Sequence, residues 1–339
     1  MRALVTGASG AFGAHMAARL LADGHEVMSI RHDEHPCDTA SLLGIRDRVA
    51  WARGSILDES FCKRLIADFV PDAVYHFAAL PLVQTGTRTA TPIFTTNVLG
   101  TIHLLEAIKE NAWAGRMIRF LAVATDKVYG DAGREPYRET MPLGGLAVYD
   151  VSKACADMIA RTYAACGFVP SLAVVRPCNI LAPGDLNLGR VLPRLVLPCL
   201  RGERPTLYRN DGYRREFIAV EDAIDGILAL DRLLVEKPAD AHGQAFNVGS
   251  GEQRSLAEVV AAVLAHFPGI DPVWIDPPKV ARVEIPYQAL DSAKIRLATG
   301  WAASCRFEET VSRLVAWWRE HWTHLPEGLR SYRVRDWHG

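Results

Sequence analysis

No apolar run in this chain approaches the roughly 20 residues needed to cross a bilayer. The opening "MRALVTGASG" has no basic region followed by a long apolar stretch and a cleavage site, because glycine and serine interrupt it within ten residues. A soluble, cytoplasmic protein whose first residues already begin a fold is therefore expected. An excess of either charge is also missing: 38 Lys and Arg face 39 Asp and Glu, leaving a formal net charge of -1. That balance gives no global electrostatic reason to expect nucleic acid or an anionic membrane as partner. Cysteine is present but unorganised, with seven residues, at 37, 62, 155, 166, 178, 199 and 305, and no C-x-x-C pair. Reduced thiols, with no metal site, are the simplest reading. Repeats and low-complexity tracts are absent too, so nothing points to a scaffold. What remains is a chain of 339 residues, 49% apolar, able to bury a sizeable core as one large or two intimately joined domains.

Short β-rich runs alternate with helical patterns through the first half. "ALVTG" reads as a buried strand, "GAHMAARLLADG" as a helix ending at Gly24, and "HEVMSI" as the next strand. "RVAWARGS", a helix over about 58–69, "AVYHFAA", a helix over about 93–111 and "IRFLAVAT" continue the pattern. Strands regularly separated by helices imply right-handed crossovers, a doubly wound parallel sheet, and an α/β fold of Rossmann type. Such sheets bind ligands at the carboxyl ends of their strands.

The first strand-to-helix turn, "TGASGAFGAH", carries Gly7, Gly10 and Gly13. Glycines there let the backbone approach a pyrophosphate, which the free amides and the helix dipole stabilise. In a tight turn they also serve helix-strand packing, but a strand precedes and a helix follows, so dinucleotide binding is expected. Further along, "TDKVYGDAGREPYRETMPLGGLAVYDVSK" holds Thr125, Asp126 and Lys127 at its start and Tyr149 and Lys153 at its end. Tyr149 and Lys153 are four residues apart in a stretch of helical periodicity, hence on one helix face. A free tyrosine has a pKa of about 10, so it acts as a base near neutrality only with a cation nearby; Lys153 is the candidate. Taken alone, the same spacing describes a half-buried tyrosine beside a solvated lysine.

The motifs "TGASGAFG", "HFAA", "TTNVLGTIHLLEA", "ATDKVYG", "YDVSK", "RPCNI", "REFIAVEDA" and "FNVGSG" occur in the order found in the extended short-chain dehydrogenases/reductases. Over nearly its whole length the chain resembles the nucleotide-sugar epimerase/dehydratase members of that family. "ATDKVYG", "VLPRLVLPCLRGERP" and "EIPYQALDSAKIRLATGW" look most like the 4,6-dehydratases, above all the CDP-glucose type. The resemblance implies that Thr125 hydrogen-bonds the sugar's 4-hydroxyl and that Tyr149 takes its proton while hydride passes to a nicotinamide. A dehydratase then needs two further acid/base groups, one for the proton on carbon 5 and one for the departing 6-hydroxyl. Asp126 and Lys127 are similar to the pair found in the CDP-glucose type, whereas epimerases generally carry smaller or uncharged residues there. Lysine serves as a base only after giving up its proton. Three readings stay open: a nucleotide-hexose 4,6-dehydratase, an epimerase using the same carbon 4 oxidation, and a noncatalytic dinucleotide sensor on the same fold.

The same resemblance implies a tightly held, recycled NAD or NADP, no metal, and a cofactor cradle. That cradle comprises Gly7, Ser9, Gly10, Ala11, Phe12 and Gly13, then Arg31, Ser55, Ile56, Phe77, Ala78, Ala79, Asn97, Tyr149, Lys153 and Pro177. Two positions depart from the pattern. Arg31 stands at the end of the second strand where NAD-binding relatives usually have an acid. It either pairs with a 2′-phosphate, favouring NADP, or stacks on adenine while Asp33 reaches the ribose. Ser55, in "GSILD", replaces a common adenine-contacting aspartate. For the substrate, a nucleotide-diphosphate sugar, the resemblance implies Gln84, Thr125, Asn179, Arg190 and Arg215. The Pro-, Gly- and Arg-rich stretch around a helix near 190–201 suits a cap over the sheet. "QAFNVGS" reads as one more strand and "SLAEVVAAVLAHF" as a helix. The expected division is a dinucleotide-binding unit of residues 1–178 with 216–249 and a substrate-binding unit of 179–215 with 250–339. Helices near 93–111 and 149–166 match those through which family members pair, so a homodimer is expected. The Trp- and Arg-dense C-terminus has helical apolar spacing in "VSRLVAWW" and is expected to pack on the substrate unit rather than to bind nucleic acid.

Overall fold

The computed structural model describes residues 1–32, 37–81, 90–187, 189–209, 212–276 and 285–330. Its first half runs β1 (Arg2–Thr6), α1 (Ala11–Ala22), β2 (Glu26–Arg31), α2 (Thr39–Leu42), β3 (Ala50–Arg53), α3 (Glu59–Phe69) and β4 (Ala73–His76). A short α4 (Thr91–Phe94) then passes through a π-helical turn, Thr95–Leu99, into α5 (Gly100–Trp113). After these come β5 (Arg119–Val123), α6 (Val148–Ala165) and β6 (Leu172–Pro177). Ala3, Leu4 and Val5 of β1 and all six residues of β6 are buried, as strands covered on both faces by helices must be.

The second half continues with β7 (Asn179–Leu181), α7 (Val191–Leu200), β8 (Thr206–Tyr208), β9 (Arg214–Ala219), α8 (Val220–Glu236) and α9 (Pro238–Ala241). It goes on through β10 (Gln244–Val248), β11 (Gln253–Ser255), α10 (Leu256–Leu264), β12 (Val273–Ile275), α11 (Ala293–Thr299) and α12 (Phe307–His321). Seven strands form one sheet in the order β10-β6-β5-β4-β1-β2-β3, every neighbouring pair parallel. Chain order reverses between β1 and β4, which opens a crevice beyond their carboxyl ends. The expected doubly wound α/β sheet is thus the observed one. The helix expected over 93–111 is longer, and a π turn interrupts it.

Two small sheets had no counterpart in the sequence reading: β11-β9-β7, and the parallel pair β12-β8. Their strands are three to six residues long and recruit partners up to about 70 positions away, so no local alternation announces them. Beside them lies a second hydrophobic cluster holding Leu195, Val196, Val263, Val311, Val315 and Trp318. The stretch "VSRLVAWW" enters this cluster through the buried face of α12. Leu290, Ile295 and Trp301 belong instead to the main cluster around the large sheet. No helix among the described residues is long and apolar enough to cross a membrane.

Candidate active site

At the end of β1 the chain turns through Gly7, whose φ is +77°. A Cβ on Gly7 would stand 2.9 Å from the Ala78 amide nitrogen, and one on Gly13 only 2.4 Å from the Gly7 carbonyl oxygen. Both glycines are demanded by backbone packed on backbone. Gly10 differs, since a Cβ there would meet nothing closer than the Gly7 oxygen at 3.5 Å. It is the exposed N-cap of α1, a residue with no side chain to cap the helix, and no acidic side chain occupies the first turn. The turn is closed where the fold needs it and open at a helix N-terminus, which fits a pyrophosphate.

The remaining expected cofactor residues gather on the same edge of the sheet. Arg31 is the last residue of β2, Ser55 and Ile56 follow β3, Phe77, Ala78 and Ala79 follow β4, and Pro177 ends β6. Phe12 meets Phe77 edge-on, ring centroids 4.8 Å apart. Asn97 sits in the π turn, where its carboxamide accepts from the Leu80 amide at 2.7 Å and donates to Ser152 Oγ on α6 at 2.9 Å. Ser152 donates in turn to the Tyr149 carbonyl. A buried chain of hydrogen bonds runs beneath these residues. The Ala78 amide donates to Thr6 Oγ1, Thr6 donates to His76 Nδ1, His76 Nε2 donates to Thr101, and Thr101 donates to the Asn97 carbonyl. These directions are those of a neutral His76, and burial, aided by the charge of Lys153, pulls its imidazole down to about 3.

Beyond β5 the chain places Thr125, Asp126 and Lys127 together. The Thr125 hydroxyl donates to Asp126 Oδ1 at 3.0 Å and accepts from the Lys127 amide at 3.4 Å. Asp126 is only 2% exposed and its Oδ2 has no partner. Burial raises its carboxyl above the ordinary range, opposed by Lys127, the Thr125 hydroxyl and Arg215. Lys127 Nζ donates to Gln288 Oε1 at 3.5 Å; Gln288 is fully buried and its Nε2 is unpartnered. Asp150, the third residue of α6, feels the Lys127 charge, reaches back to the Ala147 amide with Oδ2, and leaves Oδ1 unpartnered. Lys127 is therefore ringed by two carboxyls and a carboxamide, each with one polar atom unspent.

Tyr149 enters from the first turn of α6. Burial pushes its phenol up to about 12, and the positive charge that opposes this is that of Arg190. Lys153 Nζ donates to the Val123 carbonyl at the end of β5, 2.5 Å away, and burial pulls the ammonium down to about 8. Arg190, paired with Asp185 at 2.7 Å, thus belongs beside the tyrosine. Arg215, whose guanidinium donates to the Pro286 carbonyl, acts electrostatically on Asp126. Asn179 spends its amide on the Glu216 carbonyl at 2.9 Å. Gln84 and Asp33 lie outside the described residues.

A family profile described as GDP-mannose 4,6 dehydratase matches residues 4–314, nearly the whole chain. The chain belongs to that family. Among its relatives, the CDP-glucose 4,6-dehydratase of Salmonella typhimurium is 28% identical over 329 residues, covering 93% of this chain and 90% of its own. The UDP-glucose 4-epimerase of Mycolicibacterium smegmatis is 26% identical over 327 residues, covering 94% and 99%. The solved dTDP-glucose 4,6-dehydratase of Streptomyces venezuelae, crystallised with NAD bound, superposes with a TM-score of 0.84 at 26% identity, covering 96% of this chain and 99% of that one. This member of the family therefore has both dehydratases and epimerases as kin.

Sequence reasoning passed over Asp150, Gln288 and Glu216. Asp150 could have been found, because it directly follows Tyr149. Gln288 had no signal, being 161 residues from the lysine it touches. Glu216, fully buried, accepts from the Gly251 and Leu290 amides at 2.7 and 2.6 Å, and burial pushes its carboxyl up to about 7. By holding Leu290, Glu216 fixes the segment that carries Gln288.

Proposed function

We propose that this chain is an NAD-dependent nucleotide-hexose 4,6-dehydratase. The observation that carries the reading is the cluster of Thr125, Asp126 and Lys127 beyond β5, with Asp150 and Gln288 around the lysine and Tyr149 on the adjoining helix. NAD, seated over the glycine turn, supplies the acceptor and later the donor of the hydride. Tyr149 takes the proton of the sugar's 4-hydroxyl, with Arg190 favouring the phenolate, and Thr125 holds that hydroxyl in line. Oxidation at carbon 4 acidifies the proton on carbon 5. Lys127 removes that proton, and Asp126, whose carboxyl burial raises above the ordinary range, is the acid for the leaving 6-hydroxyl. A group that only turned the sugar over at carbon 4 would have no use for this second acid/base pair.

The remaining assignments follow from the same reading. Residues 1–178 with 216–249 take the dinucleotide, and 179–215 with 250–339 take the nucleotide sugar, with Asn179, Arg190 and Arg215 on its side. Leu99, Trp113, Val148 and Met158 expose apolar surface on the π turn, α5 and α6, the helical stretches expected to pair two copies. The reaction is tested by incubating the protein with a panel of nucleotide hexoses and weighing the product. Loss of one water and a new carbonyl are expected. A product of unchanged mass that differs only at carbon 4 would support the epimerase instead, and no turnover alongside tight NAD binding would support the sensor.

A further inference from the structure

Arg31 ends β2, the strand beside β1, at the place where an arginine by itself reads as a seat for a 2′-phosphate. Its guanidinium is already committed. Nη2 donates to Asp38 Oδ2 at 2.7 Å, and the two side chains are only 10% and 4% exposed. The guanidinium also lies 5.0 Å over the indole of Trp51, which donates to the Arg46 carbonyl at 2.8 Å and is fixed by it. Asp38 is equally anchored, because its Oδ1 accepts from both the amide and the hydroxyl of Ser41, at 2.8 and 2.6 Å. Its neighbour Thr39 donates its amide to the Ser9 carbonyl at 3.1 Å and its hydroxyl to the Gly184 carbonyl at 2.8 Å. The first of these bonds ties the carboxylate to the glycine turn.

We propose that the Asp38–Arg31 ion pair is the dinucleotide-selecting element of this site, admitting a free 2′-hydroxyl and rejecting a 2′-phosphate. A 2′-phosphate would bring up to about two negative charges against a desolvated carboxylate and would compete with that carboxylate for the Arg31 guanidinium. A hydroxyl brings no charge, and a carboxylate with roughly four acceptor positions has one left after the three bonds described. An acid arriving seven residues after the strand end thus does the work usually assigned to an acid at the strand end itself. The proposal rests on the reading of this edge as a dinucleotide site.

The test is fluorescence titration of the protein, freed of co-purified dinucleotide, with NADH and with NADPH. The wild type is expected to prefer NADH by on the order of 100-fold. Asp38→Ser removes the carboxylate but keeps a helix-capping hydroxyl, and is expected to tighten NADPH by at least about tenfold while weakening NADH by about tenfold, through the lost bond to the 2′-hydroxyl. Adding Arg31→Ala should abolish that gain. Asp38→Asn provides a second variant should Asp38→Ser fail to fold. Equal affinity of the wild type for both dinucleotides, or an unchanged ratio in either folded variant, overturns the selecting role while leaving the cofactor site intact. Binding of neither dinucleotide overturns the cofactor site itself and the proposal with it.

Discussion

Tyr149 and Lys153 share a face of α6, yet they keep different polar company: the tyrosine feels Arg190, while the lysine donates to the end of β5. Their spacing was plain in the sequence because one helical turn is local. Arg190 beside Tyr149 was not, because a residue 41 positions away declares its neighbour only through the cap. Tyr149→Phe should fold and retain NAD but lose turnover by about 10²–10⁴, since the ring remains and the proton acceptor is gone. Product formation measured beside cofactor content checks both halves. His76 makes a separate prediction. Its folded pKa of about 3 lies below the unfolded value of 6.5, so the unfolded chain takes the proton first and acid destabilises the native state. Between about pH 4 and 5.5, urea titrations of His76→Gln should show a pH slope shallower than wild type by roughly 1.4 kcal/mol per unit. Parallel slopes would mean that His76 is not buried neutral.

The turn between β1 and α1 shows how far an element can be read from its residues. Three glycines spaced by three, between a strand and a helix, state their role within seven residues. The β11-β9-β7 sheet states nothing comparable, because its strands come from positions 179, 214 and 253 and only the folded chain pairs them. Within the turn the glycines are not equivalent. Gly13→Ala drives a Cβ against the Gly7 carbonyl and should cost about 2 kcal/mol or more of stability. Gly10→Val has room and a φ of -86° that valine accepts, so it should melt near the wild-type temperature yet lose most dinucleotide binding. Calorimetric melting and NADH titration of the two variants separate packing from binding. Undiminished NADH affinity in folded Gly10→Val would remove the pyrophosphate from the turn.

Across the whole molecule, the doubly wound sheet was legible from alternation alone, whereas the way the second half contributes to the site was not. Gln288 comes from the stretch assigned to the substrate side and Glu216 from the stretch assigned to the dinucleotide side, and only tertiary contacts join them to each other and to Lys127. Assembly is legible mainly through the resemblance: Trp113 is 71% and Met158 53% exposed on the two helices expected to pair. Light scattering at micromolar concentration should return a dimer mass, and Met158→Glu should shift it toward monomer. A monomer mass for the wild type would dismiss the pairing. The dehydratase chemistry itself is tested most directly by turning over a nucleotide hexose deuterated at carbon 4 in ordinary water, and the unlabelled sugar in deuterated water. The expected product is a 4-keto-6-deoxy sugar with the first label carried internally to carbon 6 and solvent deuterium at carbon 5. A product that keeps its 6-hydroxyl, with the label returned to carbon 4 and none taken up at carbon 5, would contradict it.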